Sequence, residues 1–146
     1  MIYEFEVAGK VVGKERPRVN MNTGRVYTPN RTKDYEELVQ QSFRIKYPQY
    51  EMIKNRIGID IIAYFKIPKG TSKENTNKML NGELSPTKKP DIDNIAKSIL
   101  DAMNRFVIYD DNQVVKISVE KKYNTEDKTY VRIYEITKPQ SMKTEN

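Results

Sequence analysis

The sequence Lys-Pro-Asp-Ile-Asp-Asn-Ile-Ala-Lys-Ser-Ile-Leu-Asp-Ala-Met-Asn-Arg-Phe occupies residues 89–106, and the rest of the fold can be worked out from it. Its apolar residues recur at the spacing of one helix face, which would carry Ile95, Ile99, Ala102, Met103 and Phe106. On the same helix Asp93, Lys97 and Asp101 share the other side. This pattern predicts a helix over residues 93–105 whose charged ladder points away from the core.

Two aspartates stand at the start of this helix. If the helix continued backwards, Asp91 would lie on the apolar side, where burying a lone carboxylate is costly, so we expect it outside the helix. Pro90 favours extended backbone before it, and extended residues two apart project to the same face, which would bring the Asp91 and Asp93 carboxylates together. Two like charges at close range are stabilised by a cation, and Mg²⁺ binds proteins through one or two carboxylates. For Asp93 alone, a helix-capping role is an equally good explanation.

The Asp110-Asp111 pair and Lys97 could each have a structural or a functional role. Asp110-Asp111 precedes a predicted strand, where adjacent acids are often solvated turn formers. Lys97, four residues after Asp93, makes an ordinary helix ion pair, or it stabilises charge that develops on a metal-bound phosphate.

Alternating and β-branched patterns outside this helix predict the remaining elements. They are, in order, a strand (1–7), a basic hairpin or loop (9–25), a helix (31–47), a strand (57–67), a mobile basic loop (69–89), the helix above, and two strands (113–123 and 129–137). We therefore expect a single α+β domain over residues 1–138, with a mixed β-sheet and two main helices. Residues 139–146 are expected to form a flexible tail.

The composition limits the kinds of catalytic and metal-binding site that the chain can form. The chain of 146 residues has no cysteine and no histidine, which excludes disulfides, thiolate sites and the commonest general base. A hydrolase of this composition would depend on carboxylates and on hard cations such as magnesium, manganese or calcium. No apolar run is long enough to cross a membrane and the N-terminus lacks the basic region of a signal peptide, so a cytoplasmic location is expected. Nothing indicates an organic cofactor.

The positive charge is concentrated in two segments. The net charge is +6, and residues 10–33 carry seven basic residues against Glu15 alone, while residues 66–89 carry six lysines against two acids. Such segments are compatible with nucleic-acid binding. The candidate DNA contacts in them are Lys14, Arg16, Arg18, Arg25, Lys69, Lys73, Lys88 and Lys89.

A specific resemblance rests on motifs in one order: Lys89-Pro90-Asp91-Ile92-Asp93-Asn94, then Lys97, then Leu100-Asp101-Ala102-Met103-Asn104, then Asp110-Asp111-Asn112-Gln113-Val114. With these motifs the chain resembles the RusA family of Holliday-junction resolvases. The similarity extends more weakly to the basic residues 13–18 and 25–29. Met103 replaces the usual leucine, and Arg105-Phe106 stands where glycine is frequent, which affects only how the helix ends.

The resemblance implies a homodimeric endonuclease, dependent on Mg²⁺ or Mn²⁺, that acts in DNA recombination and repair. It would resolve four-way (Holliday) junctions by paired, symmetric nicks. By motif, Asp91, Asp93 and Asp111 would be catalytic residues that bind the metal, and Lys97 the essential lysine. A metal-activated water would attack the phosphorus, with Lys97 aiding the charged transition state.

The spacing raises a geometric question about this site. A helix over residues 93–105 is about 20 Å long, which would put Asp111 beyond its far end. Either the following loop folds back toward Asp93, or the partner subunit of a dimer supplies Asp111.

Three other functions fit parts of the pattern. A non-catalytic DNA- or RNA-binding module would use the basic segments, but it would gain nothing from acids beside them. A structure-selective nuclease acting on other branched DNA would use the same aspartates. A structural phage or ribosomal protein would use the acids only as caps and turns.

Overall fold

The computed structural model describes residues 1–137, so the tail predicted for residues 139–146 lies outside the described residues. The elements are β1 (Ile2–Ala8), β2 (Arg18–Val19), β3 (Val26–Tyr27), α1 (Asn30–Lys46), β4 (Ile57–Lys66), α2 (Lys73–Leu80), α3 (Ile92–Met103), a short 3₁₀ helix (Asp111–Gln113), β5 (Val114–Asn124) and β6 (Lys128–Glu135). The predicted α+β class, the mixed sheet and the element order are confirmed.

Four strands form the main sheet, in the order β1-β6-β4-β5. β6 pairs antiparallel with both β1 and β4, whereas β4 and β5 are parallel. Parallel neighbours require a crossover connection, and α3 lies in the segment that connects β4 to β5. The sheet thus places the start of α3 after the end of β4, and the 3₁₀ turn before the start of β5.

The core lies between one face of the sheet and helices α1 and α3. β1 shows strict alternation, with Tyr3, Phe5 and Val7 buried and their neighbours exposed. α1 buries Thr32, Tyr35, Val39 and Phe43, a spacing of three or four residues, and α3 buries the predicted Ile95, Ile99, Ala102 and Met103. Burial of these side chains is what orients the charged side of α3 outward.

Residues 69–89, predicted to be a mobile loop, contain the eight-residue helix α2. Its start is stabilised locally, because the Ser72 hydroxyl accepts a hydrogen bond from the Asn75 backbone N–H at 3.1 Å. Lys78 and Glu74 add an ion pair one turn apart, at 3.5 Å. The prediction was wrong here because α2 buries no residue and so shows no clear apolar stripe.

Within residues 1–137, no helix combines the length and the apolar character needed to cross a membrane.

Candidate active site

Asp91 and Asp93 lie at the N-terminus of α3 and are both exposed. Asp91 is the N-cap residue, with extended backbone (φ −70°, ψ 154°), so the prediction that it stands outside the helix is confirmed. The capping role considered for Asp93 is not found, because Asp91 holds the N-cap position and Asp93 lies in the first turn of the helix. The Asp91 side chain makes no capping hydrogen bond. Its carboxylate is therefore available for another partner.

The two adjacent aspartates before β5 have different environments. Asp110 caps the 3₁₀ turn, because its carboxylate accepts the Asn112 backbone N–H at 2.9 Å. The Gln113 side-chain oxygen accepts the backbone N–H of Asp110 at 3.0 Å, which closes the turn. Gln113 also donates to the Ile53 carbonyl at 2.7 Å and so ties the turn to the body of the domain. The structural interpretation fits Asp110, while Asp111 contributes its backbone to the turn and its side chain takes no part in the turn's hydrogen bonds.

Asp111 has an unusual environment for a carboxylate. Its Oδ1 is buried and, like Asn104 Oδ1 at the end of α3, has no hydrogen-bond partner among the described residues. Burial raises the pKa of Asp111, and the negative charge of Asp101 raises it further, while Lys97 opposes both effects. An oxygen without a partner next to a second carboxylate is an environment that a cation or a water molecule would satisfy.

Asp101 connects this region to the rest of the domain. Lys14 Nζ lies 2.9 Å from Asp101 Oδ2 and 2.9 Å from Glu36 Oε1 of α1, and only 16% of the Lys14 side chain is exposed. Although burial alone would lower the pKa of Lys14, the hydrogen bonds to Glu36 and Asp101 outweigh it and raise that pKa. The other oxygen of Asp101 lies 3.7 Å from Lys97 Nζ. The helical periodicity of the sequence places Asp101 on the charged ladder, but no motif singled it out as a site residue.

The candidate carboxylates form two groups along α3. Asp93 and Asp101 are eight residues apart on the helix, about 12 Å along its axis. Asp111 interacts electrostatically with Asp101 and Lys97, so the chain folds back after α3 toward this half of the helix. Across residues 1–137, no three carboxylates come close enough together to hold one metal ion.

The donor set still fits a hard divalent cation. All the candidate ligands are carboxylate oxygens, which are what Mg²⁺ and Mn²⁺ prefer, and Mg²⁺ needs only one or two carboxylates in addition to water and phosphate. The buried, unpartnered oxygen of Asp111 and the uncapped Asp91 carboxylate provide such ligands.

A cleft of about 380 Å³ lies beside Asp91. One wall is the segment 11–15, the other is residues 89–91 with Asn94, and the exposed cations Arg31 and Lys89 line it. The walls approach closely because residue 13 is glycine: a Cβ there would lie 2.6 Å from the Pro90 Cβ. Positive charge therefore borders the aspartates, as binding of a phosphate group requires.

The first basic segment projects as a small hairpin of β2 and β3. Arg16, Arg18 and Arg25 are exposed on it, and Arg18 makes a single ion pair with Glu15 at 3.2 Å. Its tip is ordered by Asn20, whose side chain accepts the backbone N–H groups of residues 22 and 23. Lys14, proposed with these arginines as a DNA contact, has a different position, since its ammonium is paired inside the domain.

The second basic segment provides exposed lysines on two features. Lys73 is in the first turn of α2, whereas Lys69 and Lys88 line a cleft of about 250 Å³ that also contains Lys10 and Lys66. Lys89 belongs to the cleft beside Asp91. Residues of both basic segments therefore line each of the two clefts, although the segments are far apart in the sequence.

Comparison with known proteins agrees with the motifs. The model of the family described as endodeoxyribonuclease RusA matches residues 8–134. The chain is also 33% identical, over 138 residues, to the uncharacterized protein YqaN of Bacillus subtilis (strain 168), which covers 92% of this chain and 96% of that protein. The matched region includes both clefts, the hairpin and all four candidate catalytic residues. The chain belongs to the RusA endodeoxyribonuclease family.

Proposed function

We propose that this protein is a divalent-metal-dependent endodeoxyribonuclease that resolves four-way DNA junctions by paired, symmetric nicks, in recombination and repair. Membership of the family indicates junction-resolving nucleases in general. The observation that carries the proposal for this chain is the buried, unpartnered oxygen of Asp111 beside Lys97 and Asp101. A protein that used these acids only as caps and turns would have no need to leave that oxygen without a partner.

Asp91, Asp93 and Asp111 would hold the metal, which is Mg²⁺ with Mn²⁺ as a substitute. When bound, such an ion lowers the pKa of a water molecule and neutralises phosphate charge. Lys97 is 63% exposed at its side chain, and its 3.7 Å contact with Asp101 is long enough to yield to a phosphate oxygen. Asp101, itself fixed by Lys14, would keep Lys97 positioned until substrate binds. Lys97 then stabilises the charge that develops on the phosphate during cleavage.

The division of the carboxylates into two groups supports a homodimer in which each site takes residues from both subunits. Asp93 of one chain would then be completed by Asp111 of its partner. The alternative is that each chain completes its own site, with the segment after α3 folding back so that Asp111 approaches Lys97 of the same chain.

A mixed dimer of Asp93→Asn and Asp111→Asn subunits distinguishes these arrangements. If sites are shared, one of the two centres in the mixed dimer retains both aspartates, and nicking of one strand returns. If each chain supplies its own complete site, both centres are defective and the mixed dimer stays inactive. Homodimers of each variant provide the inactive reference.

The proposed DNA surface consists of the hairpin arginines Arg16, Arg18 and Arg25 together with Lys69, Lys73, Lys88 and Lys89. All of them are exposed, and their charges would face the phosphates of a junction arm on either side of the aspartates. Where these residues contact phosphates, they would select DNA by charge and shape, because phosphate contacts carry no base information of their own.

The direct test compares a synthetic four-way junction with a linear duplex of matched sequence. Purified protein is incubated with each in Mg²⁺, in Mn²⁺ and in chelator, next to the Asp93→Asn variant. Paired nicks in the junction only, absent with chelator and in the variant, are the expected result. Equal cleavage of flaps or forks would instead identify a broader branched-DNA nuclease. Tight binding without cleavage in either metal would refute catalysis and leave a nucleic-acid-binding module.

A further inference from the structure

Four lysines from separate segments line the cleft of about 250 Å³ at the end of β4. Lys10 follows β1, Lys66 ends β4, Lys69 lies in the segment after it, and Lys88 precedes α3. Lys10, Lys66, Lys69 and Lys88 are all exposed. Only tertiary contacts bring these ammonium groups to one surface, since Lys10 and Lys88 are far apart in the chain.

The positive charge of this cleft is not balanced by the protein. Asp127 is the one acid in its lining, and the Asp127 carboxylate accepts the backbone N–H of Lys66 at 2.8 Å. None of the four lysines has a carboxylate within ion-pair distance among residues 1–137, although Lys14, Lys78, Lys97, Lys122 and Lys128 all do. Like charges that converge without counter-charges are unfavourable in the free protein and favour an anionic ligand.

The wall that carries Lys88 is held in place. Lys121 Nζ donates to the carbonyl oxygens of Lys88 at 2.6 Å and Pro90 at 3.0 Å. The ammonium groups of Lys88 and Lys121 lie 5.8 Å and 5.7 Å from the centre of the buried Phe65 ring. A preformed arrangement of cations loses less conformational entropy on binding than a set of free lysine side chains.

We propose that this four-lysine cleft is a backbone-anchor site that binds a phosphodiester of the DNA substrate outside the candidate catalytic centre. The inference rests on the proposed function, because it assigns the anchored phosphate to the strand that reaches Asp91. Residues 88–91 span at most about 11 Å, and one strand of duplex DNA advances about 3.4 Å per nucleotide along the axis. Because the Lys88 and Asp91 side chains extend this reach further, the anchored phosphate lies within about six nucleotides of the cut.

The test replaces single phosphates by neutral methylphosphonates at the first six positions on each side of the expected cut. Binding is measured in chelator, so that cleavage is not needed. We expect at least one position within these six nucleotides where neutralisation weakens binding by wild-type protein about tenfold. The Lys66→Gln/Lys69→Gln variant should bind the DNA neutralised at that position and the unmodified DNA about equally, because its anchor is already lost, while phosphates contacted by other basic residues keep their effect.

Lys54→Gln is the matched control for this variant. Lys54 is exposed and precedes Ile57, the first residue of β4, which lies about 30 Å from Lys66 along the strand. It should keep the wild-type pattern of methylphosphonate effects. If Lys66→Gln/Lys69→Gln shows the same pattern as Lys54→Gln, the four-lysine cleft does not bind the backbone and the inference is wrong.

A second measurement distinguishes failure of the anchor site from failure of the proposed nuclease activity. Pyrophosphate is titrated into ¹³C-lysine-labelled protein, and shifts confined to the Lys10, Lys66, Lys69 and Lys88 side-chain signals are expected. Junction binding with the predicted interference pattern but no cleavage in any metal would contradict the proposed catalysis and still support the anchor site. Absence of both the pyrophosphate shifts and the interference pattern would overturn the anchor, whatever the cleavage assay shows.

Discussion

Replacing Lys14 by methionine tests whether this residue is structural or a DNA contact. The substitution keeps the aliphatic stem but removes the ammonium that lies 2.9 Å from both Glu36 and Asp101. Two partly buried carboxylates, exposed by 21% and 23%, then lose their cation. The ion pairs that join Lys14 to α1 and α3 are lost, while the backbone hydrogen bond from the Lys14 N–H to the Asn94 carbonyl remains.

The expected magnitude lies between two limits. Exposed ion pairs contribute up to about 1 kcal/mol, whereas breaking a buried pair costs about 3–5 kcal/mol. With the Lys14 side chain 16% exposed and two partners affected, we expect a loss of about 3 kcal/mol in the free energy of unfolding. A chain of 146 residues has an unfolding entropy of about 0.3 kcal/mol/K, so the melting temperature should fall by about 10 °C.

Calorimetry and a junction-binding assay together decide the question. Arg16→Met is the matched control, because Arg16 is exposed two residues away and should change the melting temperature by no more than about 2 °C. If Lys14→Met melts like Arg16→Met but loses junction affinity, then the ion-pair network contributes no stability. Lys14 would in that case be a DNA contact, as the sequence alone suggested.

Three further predictions concern the metal, the DNA surface and high pH. For a site with a Kd of about 1 mM, 10 mM Mg²⁺ should raise the melting temperature by about 4–5 °C, and Asp111→Asn should remove that shift. Without metal, Asp111→Asn should be at least as stable as wild type, because the raised pKa of Asp111 means that its ionised form is destabilising at neutral pH. Arg25→Gln should reduce the slope of log affinity against log salt by about 0.9 for the phosphate it releases, and an unchanged slope would remove Arg25 from the DNA surface. Burial raises the pKa of Tyr35 to about 12 from an ordinary value of 10.0, so its contribution to stability is complete below pH 10 and is lost between about pH 10 and 12. Urea unfolding of Tyr35→Phe over this range should show a shallower pH dependence than wild type, and equal slopes would contradict the assignment.

Predictability from the sequence differed between the elements. α3 was predictable nearly to its ends, because its four buried apolar residues recur at helical spacing. α2 was not, since its eight residues bury none and depend on a Ser72 cap that resembles ordinary loop chemistry.

The candidate site was likewise predictable from the sequence only in part. Order along the chain identified Asp91, Asp93, Lys97 and the Asp110-Asp111 pair, because a motif is a local pattern. The residue pattern alone did not separate Asp110 from Asp111, since both are acids before a strand, and only the family motif selected Asp111. Their difference depends on where the Gln113 side chain donates and on which oxygen is buried beside α3.

By itself the sequence determined the fold class, the outward face of α3 and the position of Asp91 outside the helix. Each follows from periodicity or composition, which act over a few neighbouring residues or over the whole chain. Only the tertiary structure paired Lys14 with Asp101 and brought Lys10 beside Lys88. Those contacts join residues more than 70 positions apart. They form only when the sheet and helices pack together, and no local pattern in the sequence specifies which residue the partner will be.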